Sequence, residues 1–363
     1  MQAKNYLAQL KNLYKEAFST DSAAFVEYFF DTQLKKHNLK NAEIVFANTG
    51  TEKPAIASAG YIIKKPSFIH NKKQPAHYLT ALATFITHRN KGYFDKLMQQ
   101  LLQRLYKENV PFAFLYPFNH SFYLKYDFNT ISHAAQLTLN GNDTNYIEKI
   151  CKGTGQFHIF KEVSKTIDLV QAINLNNQIN RANKKNKLAD NYLISNQKTI
   201  IEKIEEFSSD NVALCTYATK QNPSKPFAFC FKTANSIHYY KALNNEQFFN
   251  LASFSGLKVF DFFNLDNQIN NSEYVQARIA NVAAALTSAT FIPQEDFVIK
   301  VIDNIIADNN ATFLISKNNP VKKLEAIDTA PNFTYNINEL THLLLCGDDI
   351  LVKKQKNYFC EQF

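Results

Sequence analysis

No run of about 18 apolar residues crosses this sequence, which excludes a conventional membrane-spanning helix. A basic-then-apolar leader is also missing from the N-terminus, so the expectation is a soluble, cytoplasmic protein with no membrane partner. Cysteine is sparse: Cys151, Cys215, Cys230, Cys346 and Cys360 are odd in number and lack C-x-x-C spacing, which disfavours a disulfide framework and a zinc site. The nine His are scattered, and His70 and His77 have no carboxylate at metal-ligand spacing, so no metal is expected. Long repeats and low-complexity tracts are absent, which removes solenoids and disordered tails.

What is present is an ordinary globular composition, 45% hydrophobic, in a chain of 363 residues. That length exceeds what one core usually supports, so two or three domains are expected. The net charge of +8 is uneven: residues 1–130 hold 17 Lys and Arg against 9 Asp and Glu, and the remainder holds 23 of each. The basic runs Lys64-Lys65 and Lys72-Lys73 are short, fall in an expected loop over 64–77 and belong to no nucleic-acid module. No nucleic-acid partner is expected. Steering of a polyanionic cofactor, or a plain solvated lysine surface, accounts for the same bias.

Glycine and arginine are the scarcest informative residues. There are 8 Gly, and the four Arg are Arg89, Arg104, Arg181 and Arg278; one of each meets in Arg89-Asn90-Lys91-Gly92. Before this turn, 78–86 (YLTALATFI) reads as a buried strand. After it, Phe94, Leu97, Met98, Leu101, Leu102 and Leu105 recur at helical spacing. A helix that opens from a strand through a glycine leaves its first N–H groups unpaired at the positive end of its dipole, which suits a phosphate. The plainer reading is a connection whose Gly relieves a left-handed backbone.

Downstream, 110–116 (VPFAFLY) reads as a second buried strand ended by Pro117, followed by Asn119, a plausible N-cap, and Phe122-Tyr123-x-x-x-Asp127-Phe128. The order of strand, R-x-x-G turn, helix, strand and tyrosine segment resembles the core of the GNAT superfamily of acetyl-CoA-dependent N-acetyltransferases. Within it, Thr87-His88-Arg89-x-x-Gly92, Phe122-Tyr123 and the terminal Phe363 are similar to the Eis-like (enhanced intracellular survival) family. The motifs cover the first third of the chain, and Phe94 departs from the small residue usual at the end of the turn motif, where it either narrows the phosphate site or packs under the helix.

The resemblance implies that Leu82, Ala83 and Thr84 pair with the pantetheine, that Arg89, Asn90, Lys91, Gly92, Tyr93, Phe94 and Asp95 form the pyrophosphate turn, and that Phe118 and Asn119 flank the cofactor. It implies Tyr123 as general acid and the Phe363 terminal carboxylate as general base, with acetyl-CoA as co-substrate and a small amine or lysine side chain as acceptor. A phenol of pKa about 10 lies close enough to a thiol to protonate it, whereas an α-carboxyl of about 3.3–3.7 needs burial, or a bridging water, to act as a base. A homo-oligomer fits the family. Two other classes stay open: a catalytically idle GNAT-like binding module and a carrier of lipid or another hydrophobic ligand.

The fold class expected is α+β: a GNAT domain over 1–130, a second GNAT-like domain without the cofactor motif over 131–268, and a sterol-carrier-like domain over 269–363 whose tail reaches the active site. The expected elements of the first domain are a helix over 4–18, a second with Phe25, Val26, Phe29 and Phe30, strands at 43–47 and 55–63, and the motif elements. The second domain should place strands at 136–139, 213–216, 226–233 and 236–240 and helices near 165–183 and 198–207. The third should open on a helix bearing Tyr274, Val275, Arg278, Ile279, Val282, Ala285 and Leu286, then strands at 297–302, 312–316 and 333–337 and a helix over 338–345.

Overall fold

The computed structural model describes residues 2–18, 27, 30, 39–47, 54–70, 72–138, 158–162, 191–193, 213–219, 228–232, 237–242, 259–263, 270–289, 296–316, 319–324, 330–346 and 359–360. In chain order these form α1 (Gln2–Ala17), β1 (Ala42–Ala47), β2 (Ala55–Ile69), β3 (Lys72–Thr84), α2 (Tyr93–Lys107), β4 (Phe112–Leu115), α3 (His120–Leu124) and β5 (Asn129–Thr138). Next come β6 (His158–Glu162), β7 (Asn191–Leu193), β8 (Ala213–Thr219), β9 (Ala228–Lys232), β10 (Ile237–Ala242), β11 (Val259–Phe263), β12 (Asn270–Ile279) and α4 (Val282–Ser288). The chain closes with β13 (Phe297–Ile302), β14 (Ala311–Ser316), β15 (Asn319–Leu324), β16 (Phe333–Asn336), α5 (Ile337–Cys346) and β17 (Phe359–Cys360). Two compact units result, one of 1–132, 189–192 and 273–359, the other of 133–188, 193–272 and 360–363.

In the first unit, β1 and β2 are antiparallel, as are β2 and β3, while β3 and β4 run parallel and β12 closes antiparallel on β4. Helix α2 lies on this sheet because its apolar stripe, Leu97, Met98, Leu101, Leu102 and Leu105, has nowhere else to go: all five are fully buried with Val45, Ile62, Leu79, Ala113 and Leu115. At about 1.5–3 kcal/mol for each large side chain withdrawn from water, that stripe dominates the placement of the helix. Helix α1 buries Leu10, Leu13 and Tyr14 in a separate cluster with Ile56, Ala59, Tyr61 and Ala83. The expected helix carrying Phe25, Val26 and Phe29 lies outside the described residues; Phe30 is buried in the α1 cluster.

Two expectations are corrected. The loop expected over 64–77 is instead the outer half of a long β2–β3 hairpin, paired from Lys64↔His77 to Ile69↔Lys72. Local composition favours a solvated loop, but Ser67, Ile69, Ala76 and His77 are buried while Lys72 and Lys73 stay in water. The tip docks on the C-terminal part of the same unit: His70 Nε2 lies 2.8 Å from the Leu344 carbonyl, and Lys72 Nζ donates to the Thr287 carbonyl at 3.2 Å.

The helix expected to open the third block is the second correction. Residues 270–279 form strand β12, and helix begins only at Val282, capped by the Asn281 side chain, which accepts from Ala284 N–H at 2.9 Å. Residues 275–280 are all buried, so β12 is covered on both faces and shows neither strand alternation nor a polar stripe. Its apolar residues fit helical spacing by default.

A four-stranded sheet of order β15-β14-β13-β16 completes the first unit, with β13 antiparallel to β14 and parallel to β16. The expected strands near 297–302, 312–316 and 333–337 and the final helix are present; β15 was not anticipated. In the second unit the order is β5-β11-β10-β9-β8-β6. The strands expected near 136–139, 213–216, 226–233 and 236–240 are there, whereas the helices expected near 165–183 and 198–207 lie outside the described residues.

The β2–β3 pairing contains one irregularity that positions everything beyond it. Ala59 opposes Ala83 but Tyr61 opposes Thr80, so Ala81 and Leu82 together face Gly60 in a β-bulge. Ala81 is left-handed at φ 50°, a conformation costing an L-residue roughly 1–2 kcal/mol. Gly60 makes the bulge feasible: a Cβ there would sit 2.7 Å from Leu82 Cδ2 and 3.1 Å from Leu101 Cδ1. Gly60→Val is predicted to destabilise the protein by about 1–3 kcal/mol through overpacking. Urea unfolding checks this; an unchanged midpoint would show that the close approach is not sustained.

Candidate active site

Strand β3 pairs with its parallel neighbour β4 only at His77↔Ala113 and Tyr78↔Phe114, then runs on to Thr84. Among the described residues no other strand takes β4's place beside 79–84, so β3 runs on past the end of their pairing and leaves a fork in which it is held by β2 alone. The bulge at Ala81 re-aims this stretch, and Ser58 Oγ fixes its end by donating to the Ala83 carbonyl at 2.8 Å and lying 2.8 Å from Thr84 Oγ1. Leu82 and Thr84 are half-buried and Ala83 is buried.

Beyond Thr84 the chain makes a 3-10 turn over Ile86–His88 and swings into α2. The turn is self-supporting: Arg89 N–H donates to the Ile86 carbonyl, Arg89 Nε to the Thr84 carbonyl at 3.4 Å, and Lys91 Nζ to the Thr87 carbonyl at 2.8 Å. Asn90 and Gly92 are left-handed, at φ 59° and 75°. Gly92 is the N-cap of α2, offers no side chain to its first N–H groups, and has nothing within 4 Å of where a Cβ would stand. Here glycine supplies both the positive φ and an open approach to the helix end. Arg89, Asn90, Lys91 and Gly92 are all exposed around it.

Tyr93, Phe94 and Asp95 open α2 but face different ways. Tyr93 meets His88 edge-on at 5.5 Å. Phe94 packs beneath the helix, its ring 5.1 Å from Phe122, 6.0 Å from Tyr126 and 6.5 Å from Tyr123, rather than filling the mouth of the turn. Asp95 accepts from Lys125 Nζ at 2.8 Å and from Tyr126 Oη at 2.5 Å, and these bonds, the lysine's first, hold its carboxyl below the usual range. It therefore ties the α3 turn to α2.

On the far side of the fork, β4 ends at Leu115, and Asn119 caps α3 by accepting from Phe122 N–H at 3.3 Å and Ser121 Oγ at 2.8 Å. The cap directs Tyr123 inward, where it is 3% exposed. Phe118 is 78% exposed, yet its ring meets Tyr123 edge-on at 5.8 Å, so it forms the outer wall of the phenol's surroundings. Burial pushes the Tyr123 hydroxyl well above the ordinary tyrosine value, and among the described residues it has no hydrogen-bond partner. Such a phenol stays protonated at any working pH and can donate to an incoming atom.

The fork, the turn and Tyr123 thus come together in one unit. Phe363 lies outside the described residues. Sequence reasoning missed Gly60, Ser58 and the bulge at Ala81; the scarcity of glycine was the only signal available for the first. Among the described residues no three His, Cys, Asp or Glu side chains converge as a metal site, and no helix is long and apolar enough to cross a membrane.

Residues 2–131 match the acetyltransferase (GNAT) domain family and residues 282–350 the sterol carrier protein domain family. No curated protein matches the sequence significantly. Among solved structures, a probable N-acyltransferase of Enterococcus faecalis is similar with a TM-score of 0.68 at 16% identity, over 94% of this chain and 87% of that one. A GCN5-related N-acetyltransferase of Anabaena variabilis gives 0.65 at 17% identity, over 93% and 87%. Eis1 of Mycobacterium abscessus gives 0.63 at 12% identity, over 96% and 89%. The chain therefore carries a GNAT acetyltransferase domain at its N-terminal end and a sterol-carrier-like domain at its C-terminal end, and has the α+β fold shared with the Eis-type proteins.

Proposed function

We propose that this protein transfers an acetyl group from acetyl-CoA to a primary amine, either a small molecule or a lysine side chain. The observation that carries the reading is the convergence, at one end of β3, of a strand edge and a buried phenol that have no hydrogen-bond partner among the described residues with an uncapped helix N-terminus. The amides of pantetheine continue the pairing that β4 abandons, along Leu82, Ala83 and Thr84. The pyrophosphate lies over the N–H groups that follow Gly92, with Arg89 and Lys91 neutralising its charge. Anchored at both ends, the thioester carbonyl sits in the fork, where the acceptor amine attacks its carbon. As the C–S bond breaks, Tyr123 Oη donates to the departing sulfur. The amine's proton passes to the carboxylate of Phe363, directly or through a water, and a proton returns to Tyr123 before the next turnover. In this scheme 1–130 is the catalytic domain, 131–268 a GNAT-like domain that has no R-x-x-G motif, and 269–363 the domain that delivers the tail.

Three measurements test the scheme. Arg89→Glu with Gly92→Asp puts two negative groups where the pyrophosphate should lie, so calorimetry is expected to show acetyl-CoA binding weakened by about a hundredfold or more in a folded protein. Unchanged affinity would place the cofactor elsewhere. Tyr123→Phe keeps the ring contacts and removes only the donor; a fall in kcat of about ten- to a thousandfold, with little change in Tm, is expected against a panel of amines. Full activity would remove Tyr123 from the mechanism. A peptide tag after Phe363 displaces the terminal carboxylate, and should abolish CoA release while leaving acetyl-CoA affinity intact. Equal activity of N- and C-terminally tagged protein would rule out the terminal base.

A further inference from the structure

Strand β12 carries two polar side chains, Gln276 and Arg278, that are completely buried. Being two apart on a strand, they project from the same face. Both reach the α3 turn. Gln276 Nε2 donates to the carbonyl of His120, the first residue of α3, at 3.1 Å, and Arg278 Nη1 donates to the carbonyl of Tyr126, just past its end, at 2.9 Å. Tyr123 lies between these two anchors, and its own carbonyl accepts from the N–H groups of Tyr126 and Phe128. The turn is thus gripped at each end by β12.

Neither side chain is there for packing alone. A leucine or methionine would fill either volume without desolvating an amide or a guanidinium. Gln276 Oε1 is buried and has no hydrogen-bond partner among the described residues, a cost that an apolar side chain would avoid. Arg278 needs a buried counter-ion, and Asp303 supplies it at 2.7 Å. Asp303 is in turn fixed by the N–H groups of Ile305 and Ile306, at 2.8 and 2.9 Å, and by Asn309 Nδ2 at 2.9 Å. The anchor on Tyr126 therefore runs into the loop between β13 and β14, which belongs to the sterol-carrier-like part.

We propose that Gln276 and Arg278, with Asp303 behind them, are positioning residues for Tyr123: they fix the α3 turn so that the phenol meets the thioester sulfur. This rests on Tyr123 being the donor. The GNAT domain then owes its catalytic geometry to a strand and an ion pair that lie outside residues 2–131.

The test uses the full chain and two variants that leave no lone buried charge: Gln276→Met, and the double variant Arg278→Met with Asp303→Leu. In each, kcat is expected to fall about tenfold or more while KM for acetyl-CoA stays within about twofold, since the β3 edge and the α2 N-terminus are untouched. Placed on Tyr123→Phe, either change should cause little further loss, because the group being positioned is gone. Full kcat in both folded variants, with Tyr123→Phe inactive, overturns the positioning role but leaves the donor role standing. Full kcat in Tyr123→Phe overturns both. Should the double variant fail to fold, Gln276→Met decides alone, and additive losses on Tyr123→Phe would show that it acts on something other than the phenol.

Discussion

The structure turns on a pairing that stops early. Two parallel strands share only two residue pairs, and a strand that continues with a partner on one edge alone must find partners for its other backbone groups or leave them unsatisfied. Everything nearby accommodates that fork. Gly60 yields to the bulge that turns β3, Ser58 holds the strand end, Gly92 leaves the next helix uncapped, and α3 brings a buried phenol to the opposite side. Continued β3–β4 pairing would satisfy the backbone and would also close the fork.

How legible the molecule was depends on how local each determinant is. The strand-turn-helix over 78–107 could be read directly, because a stripe repeating every turn and a scarce glycine report on structure within a few residues. The N-cap at Asn119 was legible for the same reason. The hairpin over 64–77 was not, since its lysines look like a loop until His70 is seen against Leu344, 274 residues away. Strand β12 failed differently. Covered on both faces, it has no exposed side to mark its period, and Arg278, whose charge suggests a solvent-facing stripe, is fully buried beside Asp303.

The candidate site shows the same divide. Arg89, Asn90, Lys91 and Gly92 stand around an open helix end as motif reading suggests, and Tyr123 is where the capped turn directs it. Phe94 and Asp95 belong to the same motif in sequence but turn toward α3 in space, one as packing and the other as an ionic tie. Consecutive residues on a helix point in directions about 100° apart, so a contiguous motif cannot all face one ligand.

Strand β12 also bears on how the chain is made. Gln276 and His120 are 156 residues apart, so a ribosome will have released the whole GNAT segment long before β12 emerges. Until then β4 is an edge strand whose residues Phe112, Ala113, Phe114 and Leu115, all buried in the finished protein, lack their outer neighbour. An exposed apolar edge of that kind pairs readily with other chains. Non-local closure is slow, because the loop must be ordered before the contact repays it. The nascent first domain would therefore wait in an aggregation-prone state for its last strand, and truncations ending near residue 131, however well they match a family boundary, would keep that edge open for good.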